Sequence, residues 1–426
     1  MSVFLILMIA LVLMLLNMPI AFAIAISSTV YYIFEGKSLL IIPQAMTGAI
    51  DSFPLLAIPL FMLVGLVMNT SGITKRIFNF ASSLVGHIPG GLGHANVVAS
   101  IIFAGMSGSA TADAAGLGVI EIEAMKKEGF DDEFSAAVTA SSSTIGPIIP
   151  PSMPMIIYGS ILGVSVGRLF LGGFIPGLLM GLSLMILIYF MSLKRKYPVH
   201  DKSTIKEIVK CFFPAIFPLM TPVLLIAGIV FGVFSPTEAA GVTAIYAIFL
   251  GGVIYRELKL KHIFDACIEV ALTTGTTLLI LATAFLFVWI ITINHVPETI
   301  LNFIQSMNLN KIVFLLIINL FLLFVGMIMT VNPAIILFGP ILSPVILGMG
   351  IDPVHFGVIF VLNLMIGLLT PPVGPVLFIM SNITELPFER IAKACFPFII
   401  PLVIVLLLIT YIPAFVLWLP NLIMGI

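Results

Sequence analysis

The sequence predicts an all-α polytopic membrane protein that contains an inverted repeat, with two re-entrant helical hairpins and two broken helices. Three observations carry this: charge is scarce, apolar runs reach membrane length, and the chain matches itself at a fixed offset. Of 426 residues, 61% are hydrophobic and only 9% charged, 18 Lys plus Arg against 19 Asp plus Glu. An ordinary soluble protein carries about 25% charged residues. With a mean hydropathy of +1.26, the chain has too few polar side chains to cover a water-facing globule. Most charges fall in short clusters separated by apolar runs of some twenty residues, the length a helix needs to cross about 30 Å of hydrocarbon. A β-barrel is excluded, because stretches such as 401–419 show none of the alternation a barrel strand requires. The partner implied by this surface is the lipid bilayer, and a net charge of −1 argues for no nucleic acid. Cys211, Cys267 and Cys395 are far apart and read as packing residues, neither disulfide-bonded nor metal-binding.

In chain order, hydropathy and breakers place crossings near 3–34, 53–70, 134–162, 174–193, 214–234, 236–255, 270–292, 354–380 and 396–418. The N-terminus lacks a Lys/Arg-rich leader, so 4–26 reads as a retained span. Two further stretches, 97–125 and 315–348, are interrupted at "GMSGSATAD" (105–113) and "MTVNPA" (329–334). Each half is expected to be too short to span alone, and irregular backbone at membrane depth survives only inside protein or beside a wet cavity. Both therefore read as re-entrant hairpins. The scheme puts Lys75, Arg76, Lys126, Lys127, the 194–210 cluster, Arg256, Lys259, Lys261, Arg390 and Lys393 on one side, with Arg168 and Lys311 opposite. That side is the cytoplasm by the positive-inside rule, which sets the N-terminus inside and the C-terminus outside.

Shifting the chain by 221 positions pairs Gly105 with Gly326, Gly129 with Gly350, Asp131 with Asp352, Gly146 with Gly367, Pro150-Pro151 with Pro371-Pro372 and Pro176 with Pro397. No gap interrupts this register over some seventy residues. The matches are Gly, Pro and Asp, not the Leu and Val that coincide by chance in apolar sequence. Five crossings separate equivalent points, an odd number, so the second copy is upside down. Inverted repeats with broken helices meeting at the midplane are the architecture of secondary transporters.

Chemistry is expected where the helices break. Pro removes backbone donors and Gly permits unusual conformations, so carbonyl oxygens leave the helical ladder at 141–154 and 363–375. These oxygens, with side-chain hydroxyls and amides, suit a small hard cation such as sodium. At the first tip the candidates are Ser107, Ser109 and Thr111, facing Ser141, Ser142, Ser143, Thr144 and Gly146; at the second, Thr330 and Asn332, facing Asn363, Thr370 and Gly374. Ser and Thr also serve close helix packing. The helix N-termini at the breaks favour a substrate carboxylate without a buried Arg. Asp113, an intramembrane acid, could balance a cation, relay a proton or cap the returning helix. Glu121 and Glu123 read as interfacial, and Glu238 as a helix-capping residue. "GMSG" (105–108) is similar to the nucleophile motif of rhomboid-type intramembrane proteases. Such a Ser needs a His base, and His87, His94, His200, His262, His295 and His355 all fall in or beside expected loops.

The segments 103–159 and "GLLTPPVGPVLF" (367–378) resemble the large membrane subunit of tripartite ATP-independent periplasmic (TRAP) transporters, of the DctM or SiaM type. The resemblance covers essentially the whole chain. It implies an elevator-type secondary transporter of the bacterial cell inner membrane, not an enzyme, in which a domain carrying both hairpins and both broken helices slides against a scaffold. The corresponding segmentation is 1–96, 97–173, 174–292, 293–395 and 396–426. Implied partners are a separate small four-span membrane subunit (Q type) and a periplasmic substrate-binding protein that delivers an organic-acid solute, sialic acid or a C4-dicarboxylate. Two or more sodium ions are implied, and no organic cofactor; proton coupling through Asp113 is the alternative. By position, the first sodium site would use Ser107, Asp113, Ser141 to Thr144 and Gly146. The second would use Thr330, Asn332 and Thr370, with Gly326 and Asn363 beside them. Ser109, Thr111, Asn332, Pro151, Pro372 and Gly374 would face the solute. The second tip reads "TVNP" and lacks the Ser-Gly-Ser of the first.

Overall fold

A computed structural model describes residues 3–307 and 309–425, and every regular element among them is helical. The chain opens with α1 (Val3–Leu15), α2 (Ile20–Phe34), α3 (Ile41–Ile50), α4 (Ala57–Thr70) and α5 (Ile73–Val85). The first hairpin is α6 (Gly91–Ser107) and α7 (Ala110–Lys127), and the first broken helix is α8 (Asp132–Ser143) and α9 (Met153–Leu162). Then come α10 (Val166–Arg195), α11 (Ile205–Val230), α12 (Pro236–Phe249), α13 (Leu260–Ile293) and α14 (Val296–Ser306). The second hairpin is α15 (Lys311–Ile328) and α16 (Val331–Gly348), the second broken helix α17 (Pro353–Gly367) and α18 (Pro375–Thr384), and the chain ends with α19 (Phe388–Tyr411) and α20 (Ala414–Met424).

The 221-residue offset holds in three dimensions. Adding it to α7 gives residues 331–348, the bounds of α16, and carries the break 144–152 to 365–373, overlapping the observed second break at 368–374. Packing repeats as well: α9 lies on α16, as α18 lies on α7. Leu162 at the far end of α9 meets Gly339 in mid-α16, and Met380 of α18 reaches Gly118 in mid-α7. Each broken helix starts at the base of its own hairpin and, beyond its break, runs along the other hairpin. The two hairpins therefore enter from opposite sides, as the odd number of crossings requires.

Several expected boundaries move. The single span 3–34 is two helices packed on one another. Asn17, at φ 65°, takes the left-handed conformation that ends a helix, the Met18 amide donates back to the Leu13 carbonyl at 3.1 Å, and Pro19 precedes α2. The span 396–418 likewise breaks at Ile412–Pro413 into α19 and α20. The spans expected at 174–193, 214–234 and 270–292 start earlier, as α10, α11 and α13, because polar caps precede them. Thr204 and Glu207, for example, form a capping box at the start of α11. The boundaries expected at 173/174 and 395/396 fall inside α10 and α19, which pack on α8, on α17 and on each other. The hairpin arms are longer than expected: α15 and α16 have 18 residues each and are apolar enough to cross a membrane. What makes them a hairpin is the position of their tip. Gly326 fits against Leu364 and Gly367 of the broken helix, and the Val373 amide donates to the Met327 carbonyl at 3.3 Å. Eight helices of the described residues satisfy that length and composition test.

Candidate functional site

The first hairpin turns at Gly108, which adopts φ 59°, a conformation open to glycine at little cost. A Cβ there would stand 2.4 Å from the Pro151 carbonyl oxygen, so the tip is seated on the first helix break. Ser109 then caps α7, its Oγ accepting from the Ala112 amide at 3.4 Å. Since Ser109 fills that role, Asp113 is free of it. Instead the Asp113 carboxylate accepts a hydrogen bond from Ser107 Oγ through Oδ1. Its Oδ2 is buried without a hydrogen-bond partner and lies where a Cβ on Gly146 would come within 2.3 Å. Ser107, Asp113 and Gly146 are thus brought together from three elements: hairpin arm, returning arm and break.

The hydroxyls of α8 divide. Ser142 donates to Asn96 Oδ1 at 2.6 Å, Ser143 to the Ala140 carbonyl at 2.8 Å and Thr144 to the Ser141 carbonyl at 2.6 Å. Ser141 Oγ is buried without a partner. Three of the four hydroxyls expected to bind a cation donate within and around the break and keep their lone pairs, while Ser141 Oγ and Asp113 Oδ2 are buried with no hydrogen-bond partner at all. A buried carboxylate oxygen without a partner is costly unless a cation or proton compensates it. The residues present fit a sodium ion on this ground.

The second break is built alike with different side chains. Asn363, which corresponds to Ser142, donates to Asn319 Oδ1 at 2.7 Å, and its own Oδ1 is buried without a partner. Thr370 donates to the Ile366 carbonyl at 3.0 Å. Ala334 stands where the first copy has Asp113, so no carboxylate occupies this tip. Gly374, at φ 48°, starts α18; Pro372 is exposed.

Between the tips lie two adjoining cavities of about 490 and about 270 Å³. Ser109, Thr111 and Asn332 line both, together with Met153, Thr273 and Thr277. Thr330 lines the smaller and Ser107 the larger. Pro151, Pro372 and Gly374 line neither. Sequence reading missed Asn69, Glu269, Thr273, Thr276 and Thr277 on this wall, because they sit on α4 and α13, continuous helices with no break to mark them. The signal available was the run "TTGTT" (273–277) inside an apolar span. Glu121 also departs from its expected interfacial place: it is fully buried and neither carboxylate oxygen has a hydrogen-bond partner. Glu123 is exposed and paired with Lys127, and Glu238 forms the expected capping box, with Ser235.

An all-helical inverted repeat whose hairpin tips and helix breaks meet around polar cavities defines a membrane transporter. The chain belongs to the tripartite ATP-independent periplasmic transporters, DctM component, whose family model matches residues 7–415. It is 44% identical over 410 residues to the sialic acid TRAP transporter large permease protein SiaM of Vibrio cholerae, covering 96% of each chain. It is 41% identical over 422 residues to the sialic acid TRAP transporter permease protein SiaT of Haemophilus influenzae, covering 99% of this chain and 68% of that one. Among solved structures it is similar to the Alcanivorax borkumensis YdaH transporter, with a TM-score of 0.65, 13% identity and coverage of 88% and 89%; at that identity the likeness speaks for the fold. Membership of a transporter family removes the protease reading, and the partner of Ser107 is a carboxylate, not a histidine.

Proposed function

We propose that this chain is the permease of a sodium-driven importer of organic acids in the bacterial inner membrane, working with a Q-type small subunit and a periplasmic binding protein. The observation that carries the sodium reading is the buried Asp113, with one oxygen held by Ser107 and the other turned toward Gly146 without a partner. A sodium ion bound there completes the carboxylate, and Ser141 supplies a further oxygen. At the second break, Asn363 Oδ1 and backbone carbonyls take the same part without a fixed charge, so a second ion is held more weakly. The solute occupies the cavities between the tips, its carboxylate facing the N-termini of α7 and α16, where unpaired amides and the helix dipoles favour negative charge.

In this reading the hairpins and broken helices, α6 to α9 and α15 to α18, move together, each broken helix running along the other hairpin, against the spans around them. The larger cavity reaches Asn69 and Glu269, near the ends of α4 and α13 that adjoin Lys75, Arg76, Lys259 and Lys261. By the positive-inside rule this end faces the cytoplasm, with the N-terminus inside, the C-terminus outside and the site open inward. Relatives named for sialic acid make a sialic acid the first solute to test. The test is uptake into proteoliposomes holding the permease with its partner proteins. Replacing sodium by potassium should abolish uptake, and Asp113→Asn should raise the sodium concentration for half-maximal rate at least about tenfold, equivalent to 1.4 kcal/mol. Uptake that follows a pH gradient without sodium, and is lost in Asp113→Asn, would establish proton coupling instead.

A further inference from the structure

The two ends of the larger cavity are chemically unlike. At one end the tips present the first-turn amides of α7 and α16, beside Ser109 and Thr111. On the side away from the smaller cavity, Glu269 of α13 and Asn69 of α4 line only the larger one. Among the described residues Glu269 is the only carboxylate lining either cavity, and no Lys, Arg or His lines them. It is exposed and has no ion-pair partner among the described residues. Along α13 it precedes Thr273 by one turn and Thr277 by two, about 12 Å of helix at 1.5 Å per residue. Glu269 is therefore on the same wall as the hydroxyls, two turns of α13 from Thr277, and lines the larger cavity without reaching the smaller one that holds Thr330 and Val331.

We propose that Glu269 is a specificity-determining residue: it accepts hydrogen bonds from the hydroxyls of a polyhydroxylated monocarboxylate and rejects solutes with a second carboxylate. A carboxylate accepts through two oxygens and donates nothing when ionised. It therefore complements a chain or ring of hydroxyls and opposes a like charge, and discrimination by such repulsion is a recurrent device. The amide-lined tips offer a place for one carboxylate, and the opposite end offers none for another. A sugar acid fits both ends; a C4-dicarboxylate fits one. This deepens the proposed transport function and rests on it.

The test uses purified full-length protein in nanodiscs in sodium buffer, without binding protein, so that the permease's own selectivity is read. N-acetylneuraminate, gluconate and succinate are titrated, with ligand-dependent thermal stabilisation giving the apparent affinity. The two sugar acids should bind at least tenfold more tightly than succinate. Glu269→Gln should narrow that ratio to threefold or less, by weakening the sugar acids and strengthening succinate, and Glu269→Asp should keep most of it. Since Glu269 is exposed, neither change should alter the melting temperature without ligand. Equal binding of the two classes by the unmodified protein, or an unchanged ratio in Glu269→Gln, overturns the assignment while leaving the transport reading intact. Failure of all three acids to bind overturns the reading of these cavities as the organic-acid site, and this assignment with it.

Discussion

Ser107 donates from the end of one hairpin arm to Asp113 on the next, so a side-chain hydrogen bond crosses the tip and fixes a carboxylate against Gly146 of the first break. A Cβ at 146 would stand 2.3 Å from Asp113 Oδ2, so the carboxylate would have to shift from its place. Gly146→Ala should therefore raise the sodium concentration for half-maximal uptake at least about tenfold. Gly275→Ala, where nothing lies within 4 Å of the added atom, should leave it unchanged. An unaltered sodium dependence in Gly146→Ala would show that the cation binds elsewhere.

Each break is also tied to its hairpin by a buried asparagine. Asn96 donates to Thr139 at 2.7 Å and accepts from Ser142 at 2.6 Å. Asn319 donates to Thr410 at 3.1 Å and accepts from Asn363 at 2.7 Å. Removing Asn96 leaves the buried Thr139 Oγ1 without its partner, which costs about 1–3 kcal/mol; removing Asn319 takes one bond each from Thr410 and Asn363, which keep bonds to their own helices, and costs about 0.5–1.5 kcal/mol per bond lost. Asn96→Ala and Asn319→Ala should each lower the unfolding midpoint in detergent by a corresponding amount, and Asn96→Asp should not restore it, since it places a carboxylate at a fully buried position whose partners are two neutral hydroxyls. A midpoint within error of the unmodified protein would mean that these bonds add nothing in the membrane.

Much of this was legible in the sequence, and the rest was hidden for physical reasons. Gly and Pro at matched positions announced the breaks and hairpins, because those residues change backbone conformation whatever surrounds them. Asp113 was visible as a charge at membrane depth. The hydrogen bonds that Ser142, Ser143 and Thr144 donate were not, because the acceptor a hydroxyl finds, on its own helix or on a neighbouring one, is not visible in one dimension. Glu121 was assigned to the interface by its nearness to Lys126, whereas its helical position turns it into the packed interior, where it is fully buried. Short helices such as α3 and α5 escaped notice because neither is long enough to register as a span.

The exposed ends of the same core present a contrast. Arg390 Nε donates to Glu133 at 2.7 Å, and Arg195 Nη1 meets Asp131 at 2.8 Å, but all four side chains are substantially exposed. Pairs of this kind contribute less than about 1 kcal/mol. Glu133→Gln should shift the unfolding midpoint less than Asn96→Ala does, and the shift should shrink further in high salt. A loss as large as that of the buried asparagine would mean that Glu133 carries more than a surface pair.

Both hairpin tips seat on backbone, but the first adds the Ser107–Asp113 bond and the second has no carboxylate in that place. A Cβ on Gly367 would fall 2.4 Å from the Gly326 carbonyl carbon, and one on Gly326 would fall 3.0 Å from the Leu364 Cα. Backbone cannot rotate away as a flexible side chain can, so Gly367→Ala must push the hairpin off the break and separate Thr330 and Asn332 from their present place in the cavity wall. Sodium-driven uptake should fall at least about tenfold even with the protein inserted and soluble in detergent. Gly339→Ala, on the same hairpin but only in ordinary contact with Leu162 at 3.5 Å, should transport normally. If both variants transported alike, the close seat of the second tip would be a packing detail without a part in solute movement, and the equivalence of the two halves would end at their architecture.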